Sequence, residues 1–213
     1  MPTPSYRGWI WALALVGFLF DQGTKYGVFH WLHQPQRYNA ERFGYSYDVV
    51  PGAFGLVARF TGSMTAEDTQ GIRGYLRSLG GPDMPAVNHG ALFGWLSRHQ
   101  EHANAGFAAI SLAAILAILF WGTRRTTGHD LLLCLALGLI LAGTLGNLYD
   151  RLVFGGVRDF LDFYLINWPV FNVADCCLVC GAFCLLAQAF LAQPAAKSSL
   201  PQQAASPVVA EAK

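Results

Sequence analysis

Charged side chains are scarce in this 213-residue sequence: Asp, Glu, Lys and Arg together make up 13% of it, well below the roughly one quarter usual in soluble domains. Three stretches, 104–122, 131–149 and 176–196, contain none of the four. Each is close to the roughly 20 apolar residues that carry a helix across the hydrocarbon core. A net charge of only +1 gives no electrostatic footing for a nucleic-acid partner. No small-x-small site follows "ALALVGFLF" before Asp21, which argues against a cleavable signal peptide. No HExxH pattern accompanies His99 and His102, so solvated loop histidines are expected there rather than a metal site. Cys134, Cys176, Cys177, Cys180 and Cys184 all lie in apolar runs, where a thiol behaves as a small hydrophobe. Cys177-x-x-Cys180 lacks the exposed, electropositive setting that activates a thiol.

What is present is a set of hydrophobic runs with polar groups gathered at a few places. A fourth candidate span, about 9–30, is interrupted by Asp21 and Lys25. The expected fold is therefore a polytopic α-helical membrane protein. It has four transmembrane helices, about 9–30, 104–122, 131–151 and 173–193, in a single domain over 1–193. Arg124 and Arg125 sit in the short loop 122–129, and positive charge in short loops stays cytoplasmic. Both termini are then cytoplasmic, in agreement with Arg7, Lys197 and Lys213. The tail 194–213 is rich in Pro, Ala, Ser and Gln and is expected to be disordered.

Residues 31–103 fall on the extracytoplasmic side. "YSYDVVPGAFGLVARF" (45–60) and "AVNHGALFGWL" (86–96) carry aromatic and β-branched residues broken by Gly and Pro, the mark of short strands. A small β-rich subdomain at the membrane surface is expected. Within it, Thr65 and Asp68 resemble a helix-capping signal. Ile72, Tyr75, Leu76 and Leu79 share one helical face, and Gly80-Gly81 forms a stop. That helix can lie on the bilayer, with Arg73 and Arg77 toward anionic headgroups, or pack against the sheet.

Ionisable groups in a membrane helix are expensive unless paired. Asp21 and Lys25, at i, i+4, can neutralise one another, with Lys25 reaching the interface; a structural role is favoured. The stretch "GNLYDRLVFGGVRDF" (146–160) followed by "FNVAD" (171–175) offers more. Asn147, Asp150 and Arg151 end the third span where Asn172 and Asp175 begin the fourth, and Asp159 lies on the connection, so a helical hairpin brings them together. Two carboxylates in one site of low dielectric share a proton. The ionised member takes a proton from water and the protonated one donates to an amide carbonyl. Such chemistry needs no metal, no nucleophilic Ser or Cys, and no cofactor. Each Asp alone also reads as a helix cap or an Arg partner.

The blocks "DQGTK" (21–25), "NHGALFG" (88–94), "GNLYDRLVFGGVRDF" and "FNVAD" resemble, in order and topology, those of the lipoprotein signal peptidase family, signal peptidase II. The resemblance implies an aspartic endopeptidase of the bacterial inner membrane, acting near the extracytoplasmic face. It would cleave diacylglyceryl-modified prolipoproteins immediately before the lipidated cysteine. It implies Asp159 and Asp175 as the catalytic pair, and Asp21, Lys25, Asn88, Asn147, Arg151 and Asn172 as supporting or substrate-binding residues. Asp150 is expected to be structural or orienting, and Asp162 matches nothing catalytic. Partners are the prolipoprotein substrates and membrane lipids, and a monomer is expected. Two departures stand out: His89 and Leu92 within the Asn-Gly block, and an inserted segment, 61–86, expected to rest beside the site and bias substrate choice. The competing readings are a proton- or ion-coupled transporter, which would place charge near mid-membrane on several helices, and an inactive scaffold, which intact Asp159 and Asp175 oppose.

The topology is open to direct measurement. A cysteine introduced by Ser97→Cys should react with a membrane-impermeant thiol reagent from the extracytoplasmic side. Labelling from the cytoplasmic side alone would invert the whole arrangement.

Overall fold

A computed structural model of the chain describes residues 4–90 and 100–191. The stretch 91–99, with Leu92, most of the expected 86–96 strand, Ser97 and His99, and the tail 194–213 lie outside the described residues.

Five helices are described: α1 (Arg7–Leu32), α2 (Gly71–Ser78), α3 (Gln100–Gly122), α4 (Leu131–Phe154) and α5 (Val173–Leu191). Three are long and apolar enough to cross a membrane: α3 from Glu101, α4 and α5. At 26 residues α1 is the longest, about 39 Å at 1.5 Å per residue. It is less apolar because Arg7, Asp21, Gln22 and Lys25 interrupt it.

The central helix is α4, which packs against α1, α3 and α5. Close approach of helices in lipid depends on small residues at the contact, and two glycines of α4 show why. A Cβ at Gly146 would lie 2.5 Å from Asp21 Oδ2, and one at Gly143 would collide with the Ala174 carbonyl. Ile10, Ala14, Ile115, Ile118, Leu137 and Leu141 fill the apolar core away from the polar end.

The expected β-rich subdomain is present. Strands β1 (Tyr38–Asn39), β2 (Gly44–Val50), β3 (Phe54–Ala58) and β6 (Leu161–Asp162) form an antiparallel sheet in the order β1-β2-β3-β6, while β4 (Phe60–Ser63) pairs with β5 (Asp83–Pro85). Gly52, at φ +82, makes the turn between β2 and β3, a conformation that glycine adopts without a Cβ penalty. Phe29, Leu32, Ala58 and Phe160 pack together where the C-terminal end of α1 meets the sheet. Through β6 the connection between α4 and α5 becomes part of that sheet, with Gly55 opposite Asp162 and Leu56 opposite Leu161. Asp162 thus has a place in a strand.

Segment 61–86, read above as an insertion, meets its expectations only in part. Its helix begins at Gly71 with no side-chain cap. The Thr65–Asp68 pair instead closes a local turn, Asp68 accepting from the Thr65 backbone N–H at 3.0 Å and its hydroxyl at 2.8 Å. The apolar face does not pack on the sheet: Ile72, Tyr75 and Leu79 are exposed. Nor do both arginines turn to headgroups. Arg77 Nε donates to the Val153 carbonyl at 2.8 Å and Arg73 Nη2 reaches the same oxygen at 3.3 Å. That carbonyl is one of the orphan acceptors in the last turn of α4, where positive charge is favoured. Tyr26 adds a second tether by donating to the Leu76 carbonyl at 2.8 Å.

These contacts carry an expectation. The double variant Arg73→Ala/Arg77→Ala should lower stability by about 1–2 kcal/mol, read as a drop in thermal unfolding temperature in detergent micelles. An unchanged midpoint would show that the two arginines contribute nothing to holding α2 on α4.

Candidate active site

The polar groups of the sequence blocks converge at the C-terminal ends of α1 and α4 and the N-terminal end of α5. Two layers can be distinguished by what they bury.

The inner layer is ionic. Lys25 Nζ lies 2.9 Å from Asp21 Oδ2 and 3.3 Å from Asp150 Oδ2, and all three side chains are fully buried. The expected pairing of Asp21 with Lys25 is there, but Lys25 does not reach the interface; Asp150 holds it inside. Arg158 completes the group. Its Nη2 lies 2.8 Å from Asp150 Oδ1, its backbone N–H donates to Asp150 Oδ2 at 2.9 Å, and its guanidinium lies over the Tyr26 and Phe154 rings. Gln22 bridges the set, donating to Asp21 Oδ2 at 2.9 Å and accepting from Arg158 Nη2 at 2.8 Å. Two carboxylates and two cations make a neutral unit, which is what permits its burial. Asp150, expected to be structural or orienting, lies buried between two cations. Arg158 and Gln22 are the residues that sequence reasoning missed; both stand inside recognisable blocks, "VRDF" and "DQGTK", yet no spacing rule links positions 22, 150 and 158.

Asp21 also connects this layer to the next. Its Oδ1 accepts the Ala174 N–H at 2.8 Å, satisfying a donor in the first turn of α5. One residue on, Asp175 and Asn172 form a reciprocal capping box. The Asn172 N–H donates to Asp175 Oδ2, and the Asp175 N–H donates to Asn172 Oδ1, both at 3.1 Å.

The outer layer is built of amides around two carboxylates. Asn147 Nδ2 donates to Asp175 Oδ1 at 2.9 Å. Asn172 Nδ2 donates to Asp159 Oδ1 at 2.6 Å and Asn88 Nδ2 to Asp159 Oδ2 at 2.9 Å. Lys25 Nζ donates to Asn147 Oδ1 at 3.3 Å, so the ionic layer orients the amide that holds Asp175. Asn88 is placed by a bridge to Val157, with N–H···O bonds of 2.7 and 2.9 Å. The Asp159 segment is stapled on its other side, where Phe160 and Leu161 both donate to the Phe171 carbonyl and Phe160 accepts from Val57. Asp159, Asp175, Asn88, Asn147 and Arg151 line a common cavity of about 70 Å³. Arg151 Nη1 donates to the Asn147 carbonyl at 3.2 Å, whereas its buried Nε has no partner among the described residues. His89, one of the sequence departures, meets the Gly155 carbonyl through Nδ1 at 3.0 Å, away from both acids.

Burial pushes the Asp159 carboxyl up to about 6; the Asn88 bond opposes the rise, the Asp175 charge adds to it, and the Asn172 bond opposes it. The carboxyl therefore keeps its proton up to about pH 6, well above the usual aspartate range, in the direction that a neighbouring acid and burial both favour. The folded state binds more protons than the unfolded chain between about pH 4 and 6, so this residue costs stability as pH rises through that window.

A profile described as Signal peptidase (SPase) II matches residues 84–191. The chain is 47% identical over 103 residues to the lipoprotein signal peptidase of Ralstonia nicotianae, covering 47% of this chain and 58% of that one. It is 31% identical over 182 residues to that of Microcystis aeruginosa, covering 85% and 92%. The chain thus spans about three fifths of the first relative and nearly all of the second. Among solved structures, a bacterial membrane enzyme matches with a TM-score of 0.60 at 22% identity, over 91% of this chain and 100% of that one. The fold is thereby that of a helical, multi-pass membrane protein.

The amide shell predicts a measurable pH effect. Asn88→Ala removes a donor that favours ionised Asp159, so the carboxyl should titrate higher. The alkaline limb of kcat/KM, expected near pH 6 when Asp159 must stay protonated, should move to higher pH in that variant. A limb that does not move would separate Asn88 from the titration.

Proposed function

Because this chain belongs to the signal peptidase II family, we propose that it is an aspartic endopeptidase cleaving prolipoproteins immediately before the diacylglyceryl-modified cysteine. The observation that carries this reading is Asn172. Its carboxamide donates to Asp159 and accepts from the Asp175 backbone, so one side chain registers both acids toward one cavity.

In this reading the ionised member of the pair removes a proton from water, which attacks the scissile carbonyl carbon. The protonated member donates to the carbonyl oxygen, giving a neutral tetrahedral intermediate. The acid that took the water proton gives it to the leaving nitrogen, and the other carboxylate takes a proton from a hydroxyl of the intermediate. The C–N bond breaks to a carboxylic acid and an amine, and the pair again holds one proton. Arg151, facing the same cavity with an uncommitted Nε, supplies positive charge where the carbonyl oxygen becomes electron-rich. Asn88, Asn147 and Asn172 hold the carboxylates without neutralising them, and Asp21 and Lys25 act as positioning residues. No metal or cofactor takes part in these steps.

Four membrane spans complete the reading, with α1 as the fourth. Its polar groups are matched to α4 and to the connection, so they do not face lipid as free charges. Arg124 and Arg125 precede α4 and the dyad follows it, at opposite ends of one helix. With the arginines cytoplasmic, the site lies near the extracytoplasmic face of the bacterial inner membrane and both termini are cytoplasmic. A monomer is part of this reading. The domain runs over 1–193 with 194–213 as a cytoplasmic tail. The inserted segment 61–86, tethered beside the end of α4, is placed to bias the choice among prolipoproteins, and the exposed face of α2 to meet membrane lipids.

Asp159→Asn and Asp175→Asn should each abolish cleavage of a diacylglyceryl prolipoprotein by many orders of magnitude, because an amide cannot take a proton from water. Asp159→Asn should also be at least as stable as the parent at neutral pH, since it removes a costly ionisation. Asp162→Asn should retain most activity. Near-normal turnover in either dyad variant refutes the assignment.

A further inference from the structure

Beside the dyad lies a second, larger hollow of about 290 Å³, and Asp159 and Asn88 form one end of it. Its walls are short apolar side chains, among them Val57, Ala86, Val87 and Val170, with a single cation, Arg59. Val57 lies in β3, Arg59 between β3 and β4, Ala86 and Val87 just after β5, and Val170 on the connection before α5, so none of them belongs to one of the long helices. Whatever peptide enters this hollow from the dyad is therefore the part outside the hydrocarbon.

Arg59 stands at the junction where the chain leaves β3 for β4. Its backbone carbonyl accepts the Ala86 N–H at 2.8 Å, which fixes its Cα on the rim. The guanidinium has one weak contact, Nε to the Arg42 carbonyl at 3.4 Å. Nearby acids are engaged elsewhere: Asp48 with Arg42 at 2.8 Å and Asp83 with His33 at 2.9 Å. Among the described residues no carboxylate pairs with Arg59. A solvent-facing arginine needs no partner, but this one shares its hollow with Asp159.

We infer that Arg59 is a specificity-determining residue, favouring substrates with an acidic side chain among the first residues after the lipidated cysteine. The inference rests on the peptidase reading, in which the mature chain leaves the dyad on the outer side. Short apolar walls admit small side chains next to the scissile bond. An acid a little further along meets the guanidinium, whereas a lysine there meets like charge. Such a contact binds ground and transition states alike, so it acts on KM rather than kcat. Because Arg59 is exposed, its effect is modest and screened by salt.

The test uses the full chain in detergent or lipid with synthetic diacylglyceryl prolipoprotein peptides. Asp, Ser or Lys is placed in turn at each of the first three positions after the cysteine. The parent should prefer Asp to Lys by about three- to tenfold in kcat/KM at one of these positions at low salt, and by less at high salt. Arg59→Lys should keep the preference, Arg59→Gln should remove it, and Arg59→Glu should reverse it, with kcat on the Ser peptides unchanged. Equal Asp-to-Lys ratios in the parent and in Arg59→Glu at all three positions overturn the inference while leaving the peptidase intact. Failure of the parent to cleave any of the peptides removes the peptidase reading and this inference together.

Discussion

Everything at the polar end of the bundle depends on one neutral group of four buried charges. Asp21, Lys25, Asp150 and Arg158 come from α1, α4 and the α4–α5 connection, and each is all but inaccessible to solvent. Removing a single ion from water into such a place costs several kcal/mol, and truncating one partner strands another, typically at 3–5 kcal/mol. The unit is therefore stable only as a whole, and only with the three chain segments in one relative position. It holds the two arms of the hairpin in register. It also fixes α5, because the free oxygen of Asp21 takes the Ala174 N–H, and Gly146 is needed for α4 to come close enough.

Around the dyad a different solution is used. Asp159 and Asp175 are held by three asparagines, not by cations. An amide orients a carboxylate by directional donors but brings no full charge, so a proton can still be kept. Had Lys25 or Arg158 faced Asp159 directly, the acid would have been pulled well below its usual range and no proton would remain to share. Lys25 and Arg158 are instead paired with Asp21 and Asp150, and the hydrogen-bonded link from Lys25 to the two acids runs through Asn147. The separation of an ionic layer from an amide layer lets a buried, charged scaffold sit directly beside a carboxyl that is raised.

The inserted hairpin shows how a sequence pattern can be right in kind and wrong in its partner. The period of Ile72, Tyr75, Leu76 and Leu79 does mark a helix, but a cap at Thr65 does not start it, since Asp68 closes a turn with Thr65. Arg73 and Arg77 read as surface cations because their acceptor, the Val153 carbonyl, is a backbone group of the helix end 76 residues away from Arg77. Orphan carbonyls have no side-chain signature, so such a contact is invisible until the chain is folded. The same holds for Lys25, whose second partner, Asp150, lies on another helix.

By itself the sequence determined the features that local composition and short, ordered blocks can encode. Uncharged runs define the apolar spans, Gly and Pro break the strands at 51–52, and "FNVAD" carries a capping box in its own five residues. The blocks also name the two acids and their asparagines. Tertiary structure alone decided which charges pair, that Arg158 is buried while Arg59 is left on the rim of a hollow, and that the inserted helix is held on the end of α4. The physical reason is range. Hydrophobic periodicity and caps act over a few residues, whereas charge pairing and carbonyl capping depend on distances that only the packed helices and sheet establish.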